Sequence, residues 1–127
     1  MTPADGARIE TALAEAEAHT TGRIAVRIVP GTGVEALERA KAEFQGAKLH
    51  ETEGRNSALV LVAPEARTFA VLGDSAIHER VGDPFWNALV DEMKPFFTRS
   101  EIAGGIVHAV TQIGRALRTH FPAGSAP

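Results

Sequence analysis

The 127-residue chain has no cysteine and no tyrosine, and only one tryptophan, Trp86. Without thiols there can be no disulfide, no zinc–thiolate cluster and no cysteine nucleophile. Any metal would have to take oxygen or imidazole ligands. Basic residues are not in excess. Thirteen Lys and Arg face sixteen Asp and Glu, a formal net charge of −3, which argues against a general nucleic-acid binder. No apolar run approaches the roughly 18–20 residues that cross a bilayer, so direct membrane insertion is not expected. The N-terminus lacks a basic stretch followed by an apolar one, so it does not read as a secretory signal, and the default compartment is cytoplasmic. There is no P-loop, no G-x-G-x-x-G, no G-x-S-x-G and no H-E-x-x-H. Gly31-Thr32-Gly33 after a strand reads as a turn rather than a nucleotide loop, because it lacks the third glycine and a phosphate-seeking lysine.

What is present is an ordinary globular composition, 44% hydrophobic and 23% charged, of a size for one domain. The domain is expected over 1–122, with 123–127 a disordered tail. Thr2-Pro3-Ala4-Asp5 predicts a capped helix start, with Ile9, Leu13 and Ala16 as its apolar stripe and Gly22 as a left-handed terminator. Residues 23–29 alternate as a strand, with Ile24, Val26 and Ile28 on one face. Val34, Leu37, Ala40 and Phe44 follow helical spacing. Residues 57–63 and 68–73 predict an antiparallel hairpin. Leu59-Val60-Leu61-Val62 has no alternation, so its strand is expected to be central and covered on both faces. The helix between strands 23–29 and 57–63 implies a right-handed crossover. A further helix is expected from Asp83-Pro84, ended or kinked at Pro95, and a last one capped by Ser100. Gly104, Gly105 and Gly114 weaken that last helix and imply close packing. The fold class is α/β, a three-layer α/β/α sandwich with a mixed sheet in the order α-β-α-β-β-α-α.

The densest polar stretch follows the second hairpin strand, residues 73–83. Asp74, Glu79 and Asp83 are the candidate metal ligands, since hard oxygen donors suit Ca²⁺ or Mg²⁺. Asp83 also suits a helix cap before Pro84, and Asp74 suits an Asx turn. His78 can serve as a general base or ligand. Arg55, Arg67 and Arg80 offer guanidinium forks for phosphate or carboxylate, or ordinary ion pairs with neighbouring glutamates. Arg55, Asn56 and Trp86 mark the edge of the region, and Trp86 reads first as a core plug needing an acceptor for its indole N–H.

Five segments, in order, resemble one family. They are His19-Thr20-Thr21-Gly22-Arg23-Ile24-Ala25-Val26, Arg55-Asn56-Ser57-Ala58-Leu59-Val60-Leu61-Val62, Arg67-Thr68-Phe69-Ala70-Val71-Leu72-Gly73-Asp74, Ile77-His78-Glu79-Arg80-Val81-Gly82-Asp83, and the step from Phe96-Phe97 to Gly104-Gly105-Ile106. Together they are similar to the TPM domain family over almost the whole chain. The resemblance implies an α/β/α sandwich. It implies acid phosphatase activity in the plant thylakoid branch and calcium binding through acidic loops in some bacterial relatives. It also implies membrane-tethered members that accompany a membrane protein. The chain departs from the pattern at Asn56-Ser57, at Glu65-Ala66-Arg67, where the aspartate before the arginine is missing, and at Asp5-Gly6, the only trace of an N-terminal acidic segment. The expected function is therefore an ion- or protein-binding module, its partner an unidentified protein, with a membrane-associated one among the candidates. The alternative is a metal-assisted phosphatase with Arg67, Arg80 and His78 as its catalytic groups.

Overall fold

Why β2 sits at the centre is legible in its composition. The structure, a computed structural model, describes residues 2–31 and 35–123. Strands β1 (Arg23–Ile28), β2 (Ser57–Ala63) and β3 (Thr68–Gly73) form one sheet in the order β1-β2-β3. β1 runs parallel to β2, and β3 antiparallel to it. Every residue of β2 is buried. Its side chains alternate between two cores. Ala58, Val60 and Val62 join the larger one with helices α1 (Pro3–Glu17), α3 (Ser75–Thr98) and α4 (Ile102–His120). Leu59 and Leu61 face α2 (Ala36–Gly46) on the opposite side. This is the expected three-layer arrangement.

A local signal sets the start of α1. Thr2 caps α1 through a reciprocal capping box with Asp5. The glycines of α4 are spaces for neighbours. A Cβ at Gly105 would lie 3.1 Å from Phe96 of α3, and one at Gly114 would lie 2.6 Å from Ala16 of α1. Gly22 serves the same purpose. Its φ is not positive, and a Cβ there would meet Leu117 at 2.5 Å. It is a packing glycine rather than the left-handed terminator expected.

Other expectations are corrected. The outer positions of two stripes are wet: Ile28 and Leu37 are 44% and 39% exposed. Ile28 ends an edge strand, and α2 packs through Ala36, Ala40 and Phe44. The expected turn and helix start at Thr32, Gly33 and Val34 lie outside the described residues, as do residues 124–127 of the expected tail. α3 starts eight residues before Asp83, at Ser75, with Asp74 as its N-cap. Gly82 breaks it with φ 70° and ψ 174°, so Asp83 falls inside the second segment instead of capping it. Pro95 does not end the helix, which runs on to Thr98. Ser100 does not cap α4; it holds φ 60° beside the N-cap Glu101.

Candidate functional site

A hairpin and a parallel partner bring three chain segments to one end of the sheet. The register pairs Arg23 with Ser57 and Ala58 with Gly73. The entries to β1 and β2 therefore lie beside the exit of β3, which places Thr21, Arg55, Asn56 and Asp74 together. The N–H of Asp74 donates to the carbonyl of Ser57, and that of Ala76 to Arg55.

The centre of this end is a two-pronged ion pair. Arg55 Nε donates to Asp74 Oδ2 at 2.8 Å, and Nη2 to Oδ1 at 2.9 Å. Ser75 N–H donates to the same Oδ1 at 2.7 Å. The Asp74 side chain is 6% exposed and that of Arg55 is 51% exposed. Burial pushes the Asp74 carboxyl up. The hydrogen bonds from Arg55 and Ser75 and the charge of Arg55 outweigh it and hold the carboxyl below its ordinary value. The hydrogen bond and charge of Asp74 in turn raise Arg55. Arg55 carries this pair on a left-handed backbone, φ 51°, a conformation disfavoured for a residue with a Cβ. Beside it, buried Asn56 donates through Nδ2 to Thr21 Oγ1 at 3.0 Å. His50, in a 3-10 turn at Leu49–Glu51, has a buried Nδ1 with no hydrogen-bond partner among the described residues.

A second cluster lies one turn along α3. Trp86 Nε1–H donates to His78 Nδ1 at 3.1 Å. An indole N–H can only donate, so Nδ1 is unprotonated and the neutral ring carries its proton on Nε2. Nε2 faces Asp83 Oδ1 at 3.6 Å. The expected reading of Trp86 as a core plug with a satisfied N–H holds: the residue is buried and its ring lies over Gly73. Replacing His78 with Leu is expected to strand that N–H, lower stability by about 1 kcal/mol and shift the emission of this sole tryptophan. His78→Gln, which keeps an acceptor, should do neither. Equal spectra for the two variants would refute the assigned bond.

The remaining expected residues are dispersed. Arg67 stands at the hairpin turn, at the opposite end of β3 from Asp74, roughly 23 Å away for seven strand steps. It takes no part in the cluster. Glu79 and Arg80 are exposed on α3, and neither side chain forms an ion pair or hydrogen bond among the described residues. Asp83 is 83% exposed. Among the described residues no group of three or more His, Asp or Glu side chains is placed to hold a metal ion. The donor set around Asp74 does not fit one either, because both carboxylate oxygens are already bonded to the guanidinium fork. The pairing of Arg55 with Asp74, rather than with a neighbouring glutamate, was missed in the sequence. The hairpin register carried the signal, since it pairs Ala58 with Gly73 and so brings the segment entering β2 beside the one leaving β3.

The fold and this sheet end can be set against known proteins. A model of the TPM domain matches residues 1–116. The chain belongs to the TPM domain family. This TPM domain is similar to the BA42 protein of the psychrophilic bacterium Bizionia argentinensis, with 30% identity and a TM-score of 0.87 over 96% of this chain and 84% of that one. The N-terminal domain of the cg2496 protein of Corynebacterium glutamicum shares the fold at 18% identity and a TM-score of 0.75, over 99% and 78% of the two chains. The N-terminal domain of a P. gingivalis protein does so at 16% identity and 0.73, over 95% and 78%. No curated protein matches the chain significantly. Among the described residues no helix is long and apolar enough to cross a membrane.

Proposed function

We propose that this TPM domain is a binding module whose contact surface is the polar end of the sheet around Arg55 and Asp74. The observation that carries this reading is the state of Asp74. The acid best placed to serve a metal is buried, ionised and saturated by Arg55 and the Ser75 N–H. Metal-assisted hydrolysis needs open carboxylate oxygens around a cation that activates water. Here Asp74 would first have to release its guanidinium, and Glu79 and Asp83 stand exposed on a helix. Recognition needs only a preorganised polar surface, and the fork, the Asn56–Thr21 bond and the buried strand ends supply one.

Hydrolysis of p-nitrophenyl phosphate, with and without Mg²⁺ or Ca²⁺, separates the two functions. The binding reading expects no rate that falls in Asp83→Ala while the variant stays folded. A metal-dependent rate lost in that variant would establish the phosphatase instead. In a parallel NMR titration with Ca²⁺ and Mg²⁺, saturable amide shifts confined to 74–83 would identify an ion as the ligand of the module.

A further inference from the structure

We propose that the cleft beside the start of β1, with the arginine strip leading from it, anchors an acidic extended segment of a partner protein. This rests on the binding-module reading and names the chemistry of the partner. The cleft measures about 620 Å³, and its lining includes Thr21, Arg23, Lys48, Thr52, Glu53 and Asn56, a size usual for ligand sites. Acids outnumber bases in this chain, yet the Arg23 and Lys48 side chains have no ion pair or hydrogen bond among the described residues. Two unpaired cations lining one cleft of an acidic protein draw in negative groups. Thr21 Oγ1 already accepts from Asn56, so its hydroxyl hydrogen remains to be donated.

Lys48 adds an independent sign. It follows α2 at φ 57°, the left-handed position that usually falls to glycine at a helix end. A lysine there costs stability, and its charge at the cleft is what the position gains. From the cleft the positive surface continues along β1. Arg27 lies on the same strand face as Arg23 and is exposed, about 13 Å further on for four strand residues.

Glu53 makes the cleft bipolar. It disfavours a lone dianion and suits a peptide, which offers carboxylates to Arg23 and Lys48 and N–H groups to Glu53. The segment is held by side chains rather than added as a fourth strand. Two outward backbone groups of β1 are already occupied, Ile24 N–H by Glu17 Oε2 at 2.8 Å and the Val26 carbonyl by Arg27 at 3.1 Å, in the manner of a guarded edge.

The test is an NMR titration at low salt with three probes: an acetylated, amidated hexapeptide of three Gly-Glu repeats, its Gly-Lys counterpart and inorganic phosphate. The acidic peptide is expected to shift amides in 21–27 and 48–54, with an effect that fades as salt rises. Arg23→Gln should weaken it about threefold. Lys48→Gly should weaken it similarly while the melting temperature holds or rises, which a merely structural lysine would not show. Silence with the acidic peptide overturns the proposal. So do equal shifts with the lysine peptide, or phosphate shifts that match the peptide's at equal concentration, which would make this a small-oxyanion site. Peptide silence leaves the binding-module reading intact with a different ligand. Hydrolysis abolished by Asp83→Ala would remove that reading without changing the peptide result.

Discussion

Gly73→Ala is expected to destabilise this domain by about 3 kcal/mol, the upper end for forcing a methyl into a packed core. A Cβ at this position would lie 2.3 Å from Trp86 Cζ2, 2.8 Å from Cη2 and 2.9 Å from Ile77 Cγ2. None of these atoms can yield cheaply. The indole is tied to His78 through Nε1, two bonds from Cζ2, and Ile77 is fully buried. The strain would be felt next to Asp74, so the amide resonances of 74–78 should move with the melting temperature. A double-mutant cycle with Trp86→Leu identifies the cause. If the ring is the obstacle, Gly73→Ala costs far less in the Trp86→Leu background, and an unchanged cost would refute it.

Asp74→Ala is expected to cost about 2 kcal/mol, combining the loss of a helix N-cap with that of a buried charge-assisted hydrogen bond. Asp74→Asn should be milder, since asparagine also caps. Arg55 separates backbone from side chain. Arg55→Gly removes the ion pair but relieves the left-handed strain, so it should unfold at a higher denaturant concentration than Arg55→Ala. The pH dependence has a definite sign. Against the opposing cost of burial, the folded-state pKa of Asp74 is depressed below its ordinary value, chiefly by the hydrogen bonds from Arg55 and Ser75. Its stabilisation is therefore fully present above the unfolded carboxyl value, about 3.9, and is lost as pH falls through the folded value. The stability gap between the native protein and Asp74→Asn, followed by urea titration, should be flat above about pH 5 and close only on the acid side. A gap that widened in acid would refute the assignment.

The sequence disclosed the sheet better than it disclosed the site, for a physical reason. The uninterrupted apolar run of β2 can only be a strand covered on both faces, and the capping box at Thr2 and Asp5 is local in sequence. α3 was harder. Gly82 and Pro84 are strong punctuation and point to a helix start at Asp83. The seven residues before them are helical because Asp74 caps them and Ile77 is buried against the sheet, a tertiary effect that punctuation conceals. The three arginines of the region look equivalent in composition. Only the antiparallel register separates Arg67, at the turn, from Arg55, at the open end.

Thr21, in the wall of the cleft, and the buried Thr20 before it are both held by residues 117–123. The Thr20 hydroxyl donates to the Phe121 carbonyl, with the Leu117 carbonyl 3.2 Å from the same hydroxyl oxygen, while Thr21 N–H donates to Phe121 and Ala123 N–H to His19. The consequence concerns time during synthesis. The Thr21 wall cannot be clasped until Phe121 and Ala123 have left the ribosome, so the cleft is completed only when the last helix of the domain has been made.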